Sequence, residues 1–534
     1  AVSRTYVHRC DEHLLRTCTG TAIHFGGTVF SNTVAGQILN PQLAIILVLV
    51  VPLVGAVLIA VTGRLHDNLR ETVTLITATL LAVIVWSIVP LILEGERPEV
   101  SLLQVMPGIE IGFRVEPLGM LFATLASSLW VINSIYSIGY MRGNNEKNQT
   151  RFYICFALAI AATMGLAFSG NLFTLFLFYE LLTLSTYPLV AHKGDADTVK
   201  SARVYLGVLL STSIALLLPA IIWTYHAAGH GDFVLGGILK GLMDPASVGL
   251  LLALFVFGVG KAAIMPVHRW LPAAMVAPTP VSALLHAVAV VKAGVFTITK
   301  VIVYIFGADY LFSLPQSGWL VYLAAFTIIT ASLVALRQTN LKRLLAYSTI
   351  AQLSYVIMAA AILKPMAEIG AAVHMVAHAF GKITLFFAAG AIYVAAKKTD
   401  IAQLRGIGRR MPWTMAAFSI GALSMIGVPP TAGFVSKWYI LGGALQAGHY
   451  VAIFTIIAST VLNAAYFLPI VYMAWFEKEN ASSDNNTSVI KEHGEAPFLM
   501  VLALTITAAL TIGFFFFNGT VIELEKQIVP RLDL

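Results

Sequence analysis

Apolar runs of about 20 residues, the length needed to cross a bilayer as a helix, recur along almost the whole chain between short polar stretches. Their spacing predicts fourteen spans. The first six lie at about 42–62, 72–93, 116–138, 151–169, 171–192 and 203–226, and two more at 247–275 and 278–306. The last six lie at about 318–336, 342–363, 369–396, 412–446, 450–476 and 497–518. The seventh and twelfth exceed a straight crossing and carry breakers, Pro266 and Pro272 in one and Gly427-Val428-Pro429-Pro430 with Gly433 in the other. Both are expected to be broken helices, with simple proline kinks as the plainer alternative. Freed backbone groups are tolerated at membrane depth only against protein or a wet cavity, and matching interruptions in two halves of a chain point to inverted repeats around a transport site. The two breaks are offset by five spans, so the implied units are spans 4–8 (151–306) and 9–13 (318–476), and an odd-numbered unit inverts. The expected fold is an all-α polytopic membrane protein, with a membrane domain over 39–534 and a polar tail over 1–38.

Composition agrees with this pattern and orients it. Hydrophobic residues make up 58% of the chain and charged ones 11%, with a mean hydropathy of +0.84. The net charge of +7 is spread through short loops rather than gathered on one face, which argues against a nucleic-acid partner. Loops after odd-numbered spans hold 18 Lys and Arg, among them Arg142, Lys193, Arg337, Lys397 and Arg409, whereas the opposite side with both termini holds nine. The positive-inside rule then makes the odd loops cytoplasmic and puts both termini outside a cell inner (plasma) membrane. Residues 1–38 lack the apolar core and cleavage pattern of a signal peptide. Cys10 and Cys18 there would meet an oxidising compartment, either as a disulfide or as two thiols. Cys155 reads as packing.

Ionisable groups inside the spans are expensive and mark functional paths by default. Glu180 lies near the middle of the fifth span and Lys261 at comparable depth in the seventh; pairing would lower the cost of burying both. A static ion pair that fixes helix packing is the alternative to a proton-linked one. Lys292 lies mid-span in the eighth, where a desolvated lysine near other cations can exchange its proton near neutral pH. His286, nearly two turns earlier, reads equally as relay or as core histidine. Lys300, nearer the span's end, reads as an interface residue. In the eleventh span His374, His378 and Lys382 advance four residues at a time and so form a shallow spiral on one helical face. The His-x-x-x-His spacing could ligate a metal, but no further ligand completes a set and proton carrying is preferred. Lys437 follows the break in the twelfth span as Lys261 accompanies that in the seventh, and is taken as the second unit's terminal proton site, with a surface lysine as the alternative. Gly258-Val-Gly260-Lys261-Ala lacks the spacing of a phosphate loop. No cofactor is expected.

These residues together resemble a known family. The strings Phe178-Tyr-Glu180-Leu-Leu, Gly260-Lys261 with Pro266-Val-His268-Arg-Trp-Leu-Pro272, and Ala277-Pro-Thr-Pro-Val-Ser-Ala-Leu-Leu-His286 are similar to those of the antiporter-like subunits shared by respiratory complex I, Mrp-type multisubunit cation/proton antiporters and membrane-bound hydrogenases. So are Val291-Lys292-Ala-Gly, Leu341-Lys342-Arg-Leu-Leu-Ala-Tyr347-Ser-Thr-Ile, His374 to Lys382, and Gly427-Val-Pro-Pro-Thr-Ala-Gly-Phe434. The likeness runs from about residue 40 onward. It implies fourteen helices with inverted repeats at 4–8 and 9–13, a glutamate–lysine pair at Glu180 and Lys261, a bridging lysine at 292, and a histidine row leading to Lys437. Within the family, the D-type subunit of the Mrp antiporters is the nearest likeness: lysine at 437 differs from the glutamate of the complex I M-type subunit, and the chain's end soon after the fourteenth span leaves no room for the lateral helix of the L-type. N-type, hydrogenase and bicarbonate-uptake relatives stay open.

Three function classes follow. The first is a proton-translocating subunit of a multisubunit antiporter exchanging sodium or another monovalent cation for protons, partnered by other membrane subunits. The second is a proton-pumping module of a redox complex, with the redox centres elsewhere, since the chain has no cysteine cluster or dinucleotide fingerprint. The third is a structural or lipid-sealing subunit.

Overall fold

Several helices begin where a polar side chain caps freed backbone N–H groups: Asn40, His66, Asn171, Asp195, Asp244 and Asn340 each accept from a main-chain N–H in the first turn. The computed structural model describes residues 40–478 and 494–529. The tail expected at 1–38, with Cys10 and Cys18, lies outside them. Among the described residues the spans are α1 Pro41–Thr62, α2 Asp67–Leu93, α3 Pro117–Gly143, α4 Gln149–Ala167, α5 Leu172–Val190, α6 Ala196–Ala228, α7 Pro245–Gly258, α8 Thr279–Phe306, α9 Pro315–Leu336, α10 Leu341–Ala361, α11 Pro365–Ala396, α12 Pro412–Ile426, α13 Ala432–Gln446, α14 Tyr450–Phe476 and α15 Phe498–Phe516. Twelve of these are long and apolar enough to cross a membrane, while α7 and the α12–α13 pair are the shorter pieces of the two interrupted spans. The fourteen runs of the sequence are therefore all present.

Helix starts differ from the apolar pattern by several residues. The sixth span begins at Ala196 rather than 203 because Asp195 accepts a hydrogen bond from Thr198 N at 2.8 Å, which extends the helix through Lys200 and Arg203. Asn340 caps α10 in the same way, so Lys342 and Arg343 occupy its first turn. Between α2 and α3 stands a hairpin that the span pattern did not foresee, β1 Glu99–Met106 paired antiparallel with β2 Ile109–Arg114. Pro107 and Gly108 make its turn, with Gly108 at φ +80°.

Both interruptions fall where the breakers stand. α7 stops at Gly258; one tight turn over Gly260–Ala262 follows, then a loop to Trp270. The freed backbone is met by neighbours: Trp270 Nε1 donates to Gly260 O (2.9 Å), Met265 N donates to Thr327 Oγ1 (3.3 Å), and Lys342 Nζ donates to Ala277 O (2.6 Å). In the twelfth span α12 ends in Gly427 at φ +92°, and α13 starts again at Ala432. Gly433 N donates to Ser424 Oγ (3.2 Å).

α8 is buried along its whole length and α11 along most of it, with α11 packed against α3, α8, α10, α12, α13 and α15. The outward faces of α1, α2, α9 and α14 instead expose Val57, Trp86, Phe326 and Phe454. Apolar residues outside and ionisable ones inside is the arrangement a lipid solvent selects.

Gly433 tests how tightly the second break is built. A Cβ there would lie 1.8 Å from Ser424 O, whereas one at Gly513 in α15 meets nothing within 4 Å. Gly433→Ala should therefore destabilise the protein by about 1–3 kcal/mol. Gly513→Ala should be neutral or stabilising by up to about 1 kcal/mol. Heat denaturation in detergent measures both, and equal midpoints would refute the close-approach account.

Candidate functional site

The first cluster forms where the break after α7 meets α5. Lys261, fully buried, donates from Nζ to Tyr179 O (2.8 Å) and Thr183 Oγ1 (2.5 Å), and lies 3.1 Å from the centroid of the Tyr179 ring. Its backbone N donates to the Tyr179 hydroxyl at 3.1 Å. The tight turn comes this close to α8 because residue 294 is glycine: a Cβ would stand 2.2 Å from Ala262 N. Glu180 is the carboxylate that acts on Lys261 electrostatically, but the two do not come within salt-bridge distance. The reason is helical geometry. Tyr179 and Thr183, four residues apart, share the face that holds the ammonium, and Glu180 is turned about 100° away. Both Glu180 oxygens are buried without a hydrogen-bond partner.

The second cluster joins α8 to α11. Lys292, fully buried, touches His378 Nδ1 through Nζ. A hydrogen bond between two nitrogens needs a lone pair on one of them, so one of this pair donates and the other accepts. The His378 ring stacks near His374, with centroids 6.2 Å apart and planes 28° apart, and His374 Nδ1 meets Ser436 Oγ at 2.9 Å. Ser436 is the residue before Lys437. The Nε2 atoms of both histidines are buried and unpartnered.

Lys382 turns away from that contact toward α10, donating to Ser348 Oγ (2.7 Å) and Leu345 O (3.4 Å). Lys437 folds back onto the end of α12, donating to Met425 O (3.1 Å), Ile426 O (2.7 Å) and Thr460 Oγ1 (3.2 Å). It is 7% exposed, so it is not a surface lysine. Its relation to the break differs from that of Lys261: Lys261 lies inside the interruption, Lys437 beyond it in the second half-helix. His286 lies in a widened turn of α8, Leu284–Val288, with both ring nitrogens buried and unpartnered and its ring 4.9 Å from that of Phe386.

Two features escaped the sequence reading. Lys300 is fully buried rather than interfacial: it pairs with Glu116 at 3.4 Å and donates to Ser169 O at 2.7 Å. Glu116, just before Pro117 at the head of α3, was not singled out, although a carboxylate between Arg114 and an apolar run was a visible signal. The second is Glu525, in the short helix Gly519–Lys526 after α15, fully buried with neither oxygen partnered. Burial, reinforced by Glu368, pushes its carboxyl up to about 8.

Known proteins resemble this chain in sequence and in fold. Residues 169–463 match the family described as NADH:quinone oxidoreductase/Mrp antiporter, transmembrane. The chain is also 33% identical to the NADH-quinone oxidoreductase subunit N of Desulforudis audaxviator over 81% of its own length and 86% of that protein. The chain belongs to this family. A second member, the NAD(P)H-quinone oxidoreductase chain 5 of Picosynechococcus sp., is 30% identical over 73% of this chain but only 60% of its own. Among solved structures, a chain of the Mrp complex from Dietzia sp. superposes with a TM-score of 0.80 at 22% identity, covering 92% of this chain and 97% of that one. A chain of an archaeal membrane-bound sulfane sulfur reductase gives 0.78 at 24% identity, covering 91% and 98%. Those likenesses establish that the antiporter-like fold is shared across nearly the whole membrane domain.

The buried charges set stability in two testable ways. Lys300→Met strands Glu116 in the interior and should cost about 3–5 kcal/mol, most of it recovered in the Lys300→Met/Glu116→Gln double variant. Unfolding midpoints in detergent give the comparison, and a double variant no better than the single would count against the pair. For Glu525 the folded state holds a proton up to about pH 8, whereas a free carboxyl releases it near 4.5. The folded state thus binds more protons between those values, and the stability due to this group is full below 4.5 and falls as pH rises toward 8. Glu525→Gln should flatten that decline in melts recorded between about pH 5 and 9.

Proposed function

We propose that the chain is the proton-translocating subunit of a multisubunit monovalent cation/proton antiporter, sodium being the cation in view, in a cell inner membrane. Protons are relayed along Glu180, Lys261, Lys292 with His286, the row His378, His374 and Lys382, and Lys437. The contact between Lys292 and His378 carries this reading, because it joins the span after the first break to the helix before the second through a direct hydrogen bond between two titratable groups. On this reading α4–α8 and α9–α14 are inverted repeats, each with one interrupted span, and the loops richer in Lys and Arg face the cytoplasm. Family membership supports it, as does the likeness of fold to a chain of an Mrp complex. Other membrane subunits would supply the cation path and the driving force, since electrostatic change at one site shifts proton occupancy at the next.

A second reading, a proton-pumping subunit of a complex I-type quinone oxidoreductase, is favoured by one observation: the 33% identity to a subunit N over 81% of the chain. In that case electron transfer in partner subunits drives the same axis. Subunits co-purifying with the chain separate the two: quinone-reducing partners favour the pump, cation-antiporter partners the exchanger.

Lys261→Ala and Glu180→Ala in the assembled complex, reconstituted in vesicles, should each lower proton-coupled transport by about tenfold or more. Unchanged transport in either well-assembled variant would refute a carrying role for that residue and leave a structural subunit as the better account.

A further inference from the structure

Lys437 is approached from two sides. One approach is the histidine row, through His374 and Ser436. The other starts at Lys382 and uses no ionised group. Ser348 Oγ, which accepts from Lys382 Nζ at 2.7 Å, also lies 3.0 Å from the Tyr466 hydroxyl of α14. Tyr466 in turn donates to Asn463 Oδ1, one turn earlier in the same helix. Asn463 Nδ2 donates to Met425 O (3.2 Å), and that carbonyl is one of the three acceptors of Lys437 Nζ, at 3.1 Å. Lys382, Ser348 and Asn463 have no solvent exposure, and Tyr466 has 4%. In such surroundings each hydrogen bond polarises the next, and the direction in which the hydroxyls point matters to all of them.

We infer that Ser348, Tyr466 and Asn463 are positioning residues that couple Lys382 to Lys437, adjusting the hold of the Met425 carbonyl on Lys437 according to whether Lys382 carries its proton. The inference rests on the proposed proton axis through both lysines. A charged ammonium has only donors, so Ser348 must accept from Lys382 and spend its own O–H on Tyr466. Tyr466 then donates to Asn463 Oδ1, and the amide is fixed with its NH₂ on Met425 O. Once Lys382 has given up a proton its lone pair can accept the Ser348 O–H. Ser348 Oγ becomes the acceptor for Tyr466, Asn463 Oδ1 loses its donor, and the amide, less polarised, donates more weakly to Met425 O. No proton passes through the amide; hydroxyls turn. The ionisable groups that act on Lys382 are Lys292 and His286 of α8 and His378 of its own helix, with Tyr466 of α14 reached through Ser348; Tyr355 of α10 faces Tyr466 and Lys437.

The test is the pH profile of cation-driven proton transport by the complete complex in vesicles, for Tyr466→Phe, Ser348→Ala and Lys382→Met. Tyr466→Phe keeps the ring and removes only the hydroxyl. It should lower transport by roughly fivefold or more at a fixed pH and displace the midpoint of the profile, the coupling being of ordinary allosteric size. Ser348→Ala should displace it in the same direction, and serves alone if Tyr466→Phe fails to assemble. A profile unmoved in the hydroxyl variants, or a uniform loss of rate at every pH, overturns the coupling while Lys382→Met remains impaired. Wild-type transport by Lys382→Met would instead remove Lys382 from the proton axis itself and the inference with it.

Discussion

The cost of holding ammonium groups in a hydrocarbon layer shapes the interior of this protein. An isolated lysine at that depth loses its hydration, and the loss must be met by oriented oxygen atoms or by a change of protonation. Main-chain carbonyls meet it almost everywhere: Tyr179 O for Lys261, Ser169 O for Lys300, Ala277 O for Lys342, Leu345 O for Lys382, and Met425 O with Ile426 O for Lys437. Lys292 is different. Its ammonium rests against the imidazole of His378 and no carbonyl. The lysine least pinned by permanent dipoles is thus the one at the junction of α8 and α11, where the proposed axis requires a charge to come and go.

The interrupted helices follow from the same constraint. A continuous α-helix spends every carbonyl on its own N–H groups, whereas the end of α12 leaves Met425 O and Ile426 O free to receive a lysine. Such an end is bearable in lipid only when protein surrounds it closely. Glycine at 433 lets α13 approach Ser424 O, and glycine at 294 lets α8 press against the turn that carries Lys261. The small residues therefore make room for the breaks, and the breaks free the acceptors that hold the charges.

Much of this was legible in the sequence, and the boundary of legibility is physical. Apolar length finds spans, so fourteen runs and two interruptions could be read from Pro266, Pro272 and Gly427-Val-Pro-Pro. It does not find helix starts, because α6 and α10 begin in polar turns held by Asp195 and Asn340. A two-residue alternation is invisible to a twenty-residue window, which is why β1 and β2 went unread despite Pro107-Gly108. In the candidate site, four-residue spacing put His374, His378 and Lys382 on one face, but it could not say that Lys382 leaves the row for Ser348. Depth along a helix suggested that Glu180 and Lys261 belong together; direction around the helix, which decides contact, favoured Tyr179 and Thr183. Lys300 was misread as interfacial because its partner, Glu116, is 184 residues earlier in the chain.

Neutral partners are what make such a row usable. Where Lys300 faces Glu116 directly, the ion pair stabilises both charges together and neither can change state without stranding the other in the interior. Along the proposed axis the partners are a ring face, hydroxyls, an imidazole and carbonyls, each able to accept from an ammonium and each able to remain buried when the charge leaves, at the cost of a hydrogen bond rather than of an unpaired ion. Glu180 fits this scheme by standing off from Lys261. On the proposed axis a carboxylate close to the ammonium but not in contact with it would favour the proton without locking it. Under the proposed function, separation of that kind would let an electrostatic change in a neighbouring subunit alter occupancy at Lys261, and through Lys292 at His378, without first breaking a buried salt bridge.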